Sequence, residues 1–245
     1  MLSADELKIQ ALEAQLVALR AQTQAFMATV VHDLRAPVRH LVSYSTLLLE
    51  DFGAGVAPES LEMLQALSQA ARTLGAQMDA LAALARLGAV EVQKAPVSLS
   101  ALLQELQISM RGAYPAVLLQ WSQGEDLPTL HTDASMLRQA LLPILDNAMK
   151  FGRPQQAVQI AVQAQRMELD GALSLEIQDQ GQGFPSHVAV PLFRPFQRLH
   201  QQQELPGLGM GLAMAHRAVE RLGGSLTVQA SASGGCRVQL LLPQN

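Results

Sequence analysis

The chain has 245 residues, room for one large domain or two small ones, and carries 17 Lys and Arg against 21 Asp and Glu. The net charge of −4 excludes the basic footprint of a nucleic-acid binder, and the single cysteine, Cys236, excludes a disulfide framework or a multi-cysteine metal site. No apolar run reaches the roughly 18–20 residues of a membrane span and no charged-then-apolar leader opens the sequence, so the expectation is a soluble cytoplasmic protein or the soluble part of a receptor.

From Leu7 to Phe26, apolar residues alternate three and four apart through Ile9, Leu12, Leu16 and Leu19. This heptad seam predicts a coiled-coil helix over residues 1–25. Phe26, Val30, Leu34 and Val38 then follow at intervals of four, a stutter that locally unwinds a coiled coil. Pro37 also removes the amide that would bond to the Asp33 carbonyl, so the helix is expected to bend there and run on to about Phe52. With the seam passing through Val30 and Leu34, His32 is turned to the side. Its neighbour Asp33 can fix the ring tautomer and take its proton, which leaves the imidazole able to attack an electrophile such as a phosphoryl group. Gly53–Pro58 reads as a turn, and a second helix starts near Glu59 with Leu67, Leu74 and Leu81 seven apart. One such hairpin leaves apolar surface bare. Two of them pair into a four-helix bundle, so residues 26–90 are expected to form a homodimer. Glu91 to Pro96 reads as a hinge, giving a linker over 91–97.

Residues 98–245 mix periodicities. Leu99–Met110 reads as an amphipathic helix, Val117–Trp121 as a strand, and Asp133 as the cap of a helix from Ala134 through Phe151. Val158–Val162 and Leu173–Ile177 alternate as neighbouring strands around a turn at Asp170-Gly171. Gly207 to Leu222 opens with glycines and continues as a helix, and Ser225–Gln229 and Arg237–Leu241 form a hairpin through Gly234-Gly235. The pattern predicts a mixed sheet with helices on one face. Three stretches carry chemistry. In Asp146-Asn147-Ala148-Met149-Lys150-Phe151, Asn147 offers a neutral amide oxygen for Mg2+, Lys150 a charge for phosphate, and Phe151 a ring for a base. In Asp179-Gln180-Gly181-Gln182-Gly183, the carboxylate can accept from an exocyclic amine, while Gly181 and Gly183 let backbone approach a ligand. In Gly207-Leu208-Gly209-Met210-Gly211-Leu212, the glycines expose amides at a helix start, which suits phosphate.

Taken in order, these motifs resemble the kinase core of the two-component sensor histidine kinases. Phe26 to Pro37 is similar to the family's phosphoacceptor box, Leu145 to Phe151 to its asparagine box, Phe193-Arg194-Pro195-Phe196 to its phenylalanine box, and the stretches at Asp179 and Gly207 to its two glycine boxes. Phe196 to His200 also resembles the kinase modules of phytochrome-like photoreceptors. The resemblance implies an α-helical hairpin, a four-helix bundle as a dimer, followed by an α/β sandwich ATPase domain. The mixed sheet of that domain would be of the gyrase, chaperone and histidine-kinase type. It implies ATP-dependent autophosphorylation of His32, with Asp33 helping to accept the proton, and transfer of the phosphoryl group to an aspartate of a response regulator receiver domain. Asn147 would hold Mg2+, Asp179 would read the adenine amine, and Gly207, Gly209 and Gly211 would line the phosphates, with Leu212 in the same box. Residues 184–206 would form a mobile lid. An upstream sensor domain would join at the N-terminal seam.

Two positions depart from the family. Ala36 stands where Thr or Asn usually positions a water for regulator dephosphorylation, and Pro143 stands where a second Asn usually faces the metal and phosphates. Pro143 keeps an alternative in view: a degenerate kinase-like dimer that binds or relays without its own ATP-driven autophosphorylation. An ATPase of the wider gyrase-like group is a third reading, against which the phosphoacceptor helix argues.

Overall fold

The structure is a computed structural model and describes residues 4–52, 55, 57–167, 171–184, 190–197, 207–231 and 234–243. Helix α1 spans Ala4–Phe52 and continues unbroken through Pro37, so the proline is accommodated without ending the helix. Helix α2 spans Pro58–Ala89. Its proline occupies the first position, where an amide hydrogen is not needed, and Glu59 and Arg86 lie at the ends that the helix dipole favours for their charges. Of the turn expected at Gly53–Pro58, Gly55, Ala57 and Pro58 are described, and Pro58 already begins α2.

The two helices pack through Val31 and Val38 of α1 and Met78 and Ala82 of α2, and Arg35 reaches Asp79 at 3.1 Å. This corrects the seam read as Phe26, Val30, Leu34 and Val38. Val31, Val38 and Ser45, seven apart, are buried, whereas Phe26 and Leu34 are 68% and 47% exposed. The reason is that α1 carries two apolar stripes. The hairpin covers one. The other runs through Leu34, Leu41 and Leu48 and stays exposed, as do Met63, Leu67 and Leu74 of α2.

Residues Met1–Ala89 form one compact unit and Val90–Asn245 a second. The second opens with β1, Ala95–Ser98, paired antiparallel with β3, Thr129–Thr132. A strand therefore occupies the last three residues, Ala95 to Val97, of what reads as a linker over 91–97. Pro96 is tolerated because both strands of a two-stranded ladder have a free edge. Val97 and its partner Leu130 point into the core. Ser98 caps α3, Leu99–Ala113, by accepting from the Ala101 amide. Strand β2, Leu119–Gln123, follows. Asp133 then caps α4, Ala134–Lys150: one carboxylate oxygen accepts from Met136 N at 3.0 Å and the other from Gln93 N at 2.9 Å.

Strands β4 (Val158–Arg166) and β5 (Leu173–Asp179) are followed by helix α5 (Gly211–Arg221). Strands β6 (Ser225–Ala230) and β7 (Cys236–Leu242) complete the unit. The sheet order is β2-β4-β5-β7-β6, with β2 parallel to β4 and every other pair antiparallel. Register places Val162, Ile177, Val238 and Val228 in one row across four strands. All four are buried. Helix α4 packs on β4 and α5, and α5 on β6. Of the turn expected at Asp170-Gly171, only Gly171 is described.

Candidate functional site

Alternation along β5 builds the site's first element. Leu175, Ile177 and Asp179 share one face, so the apolar stripe that anchors the strand ends in a carboxylate beside Ile160. Its Oδ1 accepts from Gly181 N at 2.8 Å and Cys236 N at 3.2 Å. No hydrogen bond to Oδ2 occurs among the described residues. Burial raises the Asp179 pKa above the usual carboxylate value, and the two amide hydrogens partly oppose that rise. Two glycines permit this packing. A Cβ on Gly181 would stand 2.5 Å from the Phe151 carbonyl oxygen, and one on Gly235, at φ +83, would stand 2.1 Å from that of Asp179. The loop after β5 is held against the end of α4. Gln182 N donates to the Phe151 carbonyl at 3.0 Å, and Arg153 Nε to the Gly181 carbonyl at 3.3 Å.

The second element is the C-terminal turn of α4. Asn147 lies three residues from Lys150 and four from Phe151, so the three share a face. Lys150 Nζ is 2.5 Å from Asp146 Oδ2, and the Tyr114 hydroxyl donates to Asp146 Oδ1 at 2.5 Å. The third element is the segment Gly207–Met210 leading into α5, whose N-terminal amides carry the positive end of the helix dipole.

These elements surround a cavity of about 370 Å3, within the roughly 300–1,000 Å3 of small-molecule sites. Nine of the ten residues singled out from the sequence line it: Asn147, Lys150, Phe151, Asp179, Gly183, Gly207, Gly209, Gly211 and Leu212. Gly181, the tenth, sits behind Asp179 and holds it through its amide. His32 and Asp33 are in the helical unit. Their side chains are 85% and 70% exposed, with Nδ1 to Oδ1 at 3.2 Å. Of the stretch 184–206 only Phe184 and residues 190–197 are described. There a short 3-10 helix, Val190–Phe193, brings Phe193 onto the His216 ring of α5 with centroids 4.6 Å apart. Of the phytochrome-like segment only Phe196 and Gln197 are described.

Sequence reasoning missed the cavity's floor, Val228, Val238 and Cys236. The signal was present in the alternation of β6 and β7, but the cavity they face depends on pairing with β5. Burial, then the Asp179 charge, pushes the Cys236 thiol up to about 12. With that pKa, only about one thiol in ten thousand is ionised at pH 8. Half-buried Cys236 is therefore expected to react slowly with iodoacetamide at pH 8 in the folded protein and faster once urea unfolds it; rapid labelling without denaturant would contradict the raised pKa.

Asn147 presents one neutral oxygen to the cavity, and no group of three or more His, Cys, Asp or Glu is placed to hold a metal among the described residues. That donor set fits Mg2+ brought in with phosphates, since Mg2+ takes one or two protein oxygens and fills the rest with water and phosphate. Pro143 lies inside α4 and meets α5: a Cβ on Gly211 would stand 3.3 Å from its ring. The position packs helix on helix and supplies no oxygen.

A mixed sheet carrying a helix-end cavity with a buried carboxylate and glycine-lined helix start is the architecture of a known ATPase class. Residues 132–245 match the family of histidine kinase-, DNA gyrase B- and HSP90-like ATPases. The wider comparisons support a histidine kinase core, helical region included. The chain is 28% identical over 235 residues to the circadian input-output histidine kinase CikA of Synechococcus elongatus, covering 93% of this chain and 31% of that protein. It is 26% identical over 239 residues to the sensor protein KdpD of Escherichia coli, covering 95% of this chain and 26% of that protein. The crystal structure of full-length ShkA in complex with AMPPNP matches with a TM-score of 0.61 and 26% identity, over 89% of this chain and 45% of that one. The chain thus spans less than a third of these two curated relatives. The family match and the AMPPNP-bound neighbour support ATP binding. No helix among the described residues is long and apolar enough to cross a membrane.

Proposed function

We propose that the chain is the core of an ATP-dependent protein-histidine kinase acting in the cytoplasm. It phosphorylates itself on His32 and passes the phosphoryl group to an aspartate of a response regulator. The observation that carries the reading is the single cavity that gathers residues from the asparagine box and both glycine boxes. In it Asp179 accepts from the adenine amine, Phe151 lies along the base, and Lys150 and the amides after Gly207 meet the phosphates. Asn147 would hold Mg2+, which neutralises phosphate charge when bound.

At the acceptor, a proton on Nδ1 directed at Asp33 leaves the Nε2 lone pair free on an exposed ring. Nε2 attacks the γ-phosphorus, the bond from that phosphorus to the β,γ-bridging oxygen breaks, and ADP leaves. The ring becomes cationic and Asp33 takes or stabilises the Nδ1 proton. The chain works as a homodimer, because the exposed stripes at Leu34, Leu41 and Leu48 and at Met63, Leu67 and Leu74 are what a second hairpin would cover. Residues 26–90 make this phosphotransfer domain and 98–245 the ATP-binding one, with a sensor module upstream of the seam.

Incubation with γ-labelled ATP tests the reading. Acid-labile, base-stable label on the protein is expected. Nucleotide binding without label would favour the relay module that Pro143 suggests, and free phosphate without labelled protein would favour a plain ATPase.

Ala36 bears on the direction of signalling. A methyl group cannot orient water toward a regulator's phospho-aspartate, so the protein should act mainly as a kinase. Ala36 is exposed on α1, where a threonine hydroxyl can be accommodated. Ala36→Thr is expected to speed decay of phosphorylated regulator in the presence of ADP while sparing autophosphorylation. If the unaltered protein already speeds that decay severalfold, another group positions the water.

A further inference from the structure

Asp146 lies one residue before Asn147 and four before Lys150 on α4. Both of its oxygens are engaged, one by the Tyr114 hydroxyl at 2.5 Å and the other by Lys150 Nζ at 2.5 Å. Tyr114 is the C-cap of α3, so the carboxylate is anchored from a different element than the one that carries the lysine. Asp146 and Lys150 line the cavity and Tyr114 does not.

We infer that Tyr114 is a positioning residue for the nucleotide's polyphosphate: acting through Asp146, it sets where the Lys150 ammonium stands on the cavity wall. The inference rests on the reading of this cavity as the ATP site. A lysine ammonium is a point charge on a flexible four-carbon stem, and its value to a ligand depends on where that stem is held. Asp146, one helical turn away, holds it. The tyrosine hydroxyl occupies the oxygen that the lysine does not use, which fixes the carboxylate and limits its hold on the ammonium. Burial, then the hydrogen bond and charge of Asp146, raises the phenol's pKa further, so it remains a donor at neutral pH. Removing the hydroxyl frees the carboxylate to turn and to engage Lys150 with both oxygens. Each consequence draws the ammonium away from phosphate, and neither reaches the base end of the cavity at Asp179.

The test compares dissociation constants for ATP and for adenosine, which lacks phosphates, on the unaltered protein, Tyr114→Phe, Lys150→Met and the double variant. Tyr114→Phe keeps the ring and is expected to weaken ATP about three- to tenfold while leaving adenosine within about twofold. In the Lys150→Met background it should weaken ATP no further, because the residue through which it acts is gone. Equal weakening of ATP and adenosine would make Tyr114 a packing residue and overturn the inference. Unchanged ATP affinity in the single variant, or additive losses in the double one, would also overturn it. An unaltered protein that binds neither ligand would instead remove the ATP-site reading, and this inference with it.

Discussion

His32→Gln is expected to abolish protein-bound phosphate while leaving the dissociation constant for ATP within about twofold, as for independent sites. Glutamine offers no nucleophilic ring nitrogen, and its amide lone pair is delocalised. The substitution should not disturb the helix. The His32 side chain is 85% exposed, and glutamine is a good helix former, so the change in stability should stay within about 0.5 kcal/mol. The cavity is built from the other unit and keeps every group that lines it. Label stability distinguishes the outcomes. Residual acid-labile label on the variant would move the acceptor to another histidine, and a base-labile acyl phosphate would point to a carboxylate such as Asp33.

Asp179→Asn is expected to weaken ATP binding by about 1–3 kcal/mol, the cost of a buried mismatch, which is roughly tenfold or more. The geometry decides which way the new amide faces. Gly181 N and Cys236 N both donate to Oδ1, so asparagine must keep its carbonyl oxygen there and place its NH2 where Oδ2 stood. A donor then meets the adenine amine, itself a donor. The same NH2 would suit the carbonyl oxygen of guanine, so GTP should lose less affinity than ATP, or gain some. Isothermal titration with both nucleotides reads the change in ratio. An unchanged ATP constant would remove Asp179 from the base pocket.

How far such features can be read from residue order depends on how local their causes are. Strands β4 to β7 were legible because Val158-Gln159-Ile160 and its like alternate, and alternation is a property of the segment alone. Capping by Asp133 was legible for the same reason. Strands β1 and β3 were not. Lys94-Ala95-Pro96 carries a breaker, and only pairing with Thr129–Thr132, more than thirty residues on, makes it a strand. On α1, periodicity revealed apolar stripes but could not say which stripe meets α2, so Leu34 was assigned where Val31 belongs. At the cavity, the motif residues were visible because glycines, Asp and Asn are distinctive in short windows. Cys236 and Tyr114 were not, since each matters through a partner distant in sequence, Asp179 or Asp146.

The placement of β7 has a kinetic consequence. It lies between β5 and β6 in the sheet yet follows both in the chain, and its first residue supplies an amide that holds Asp179. A nascent chain therefore carries His32, the asparagine box and both glycine boxes well before it has a pocket. Until β7 threads beside β5, the Asp179 carboxylate lacks one of its two amide donors and β5 exposes an open edge. Closing that long-range pairing is entropically costly and comes late. Nucleotide that binds only the closed form would draw the equilibrium toward it, so ATP present during refolding should protect the C-terminal hairpin from proteolysis sooner than it appears without ligand.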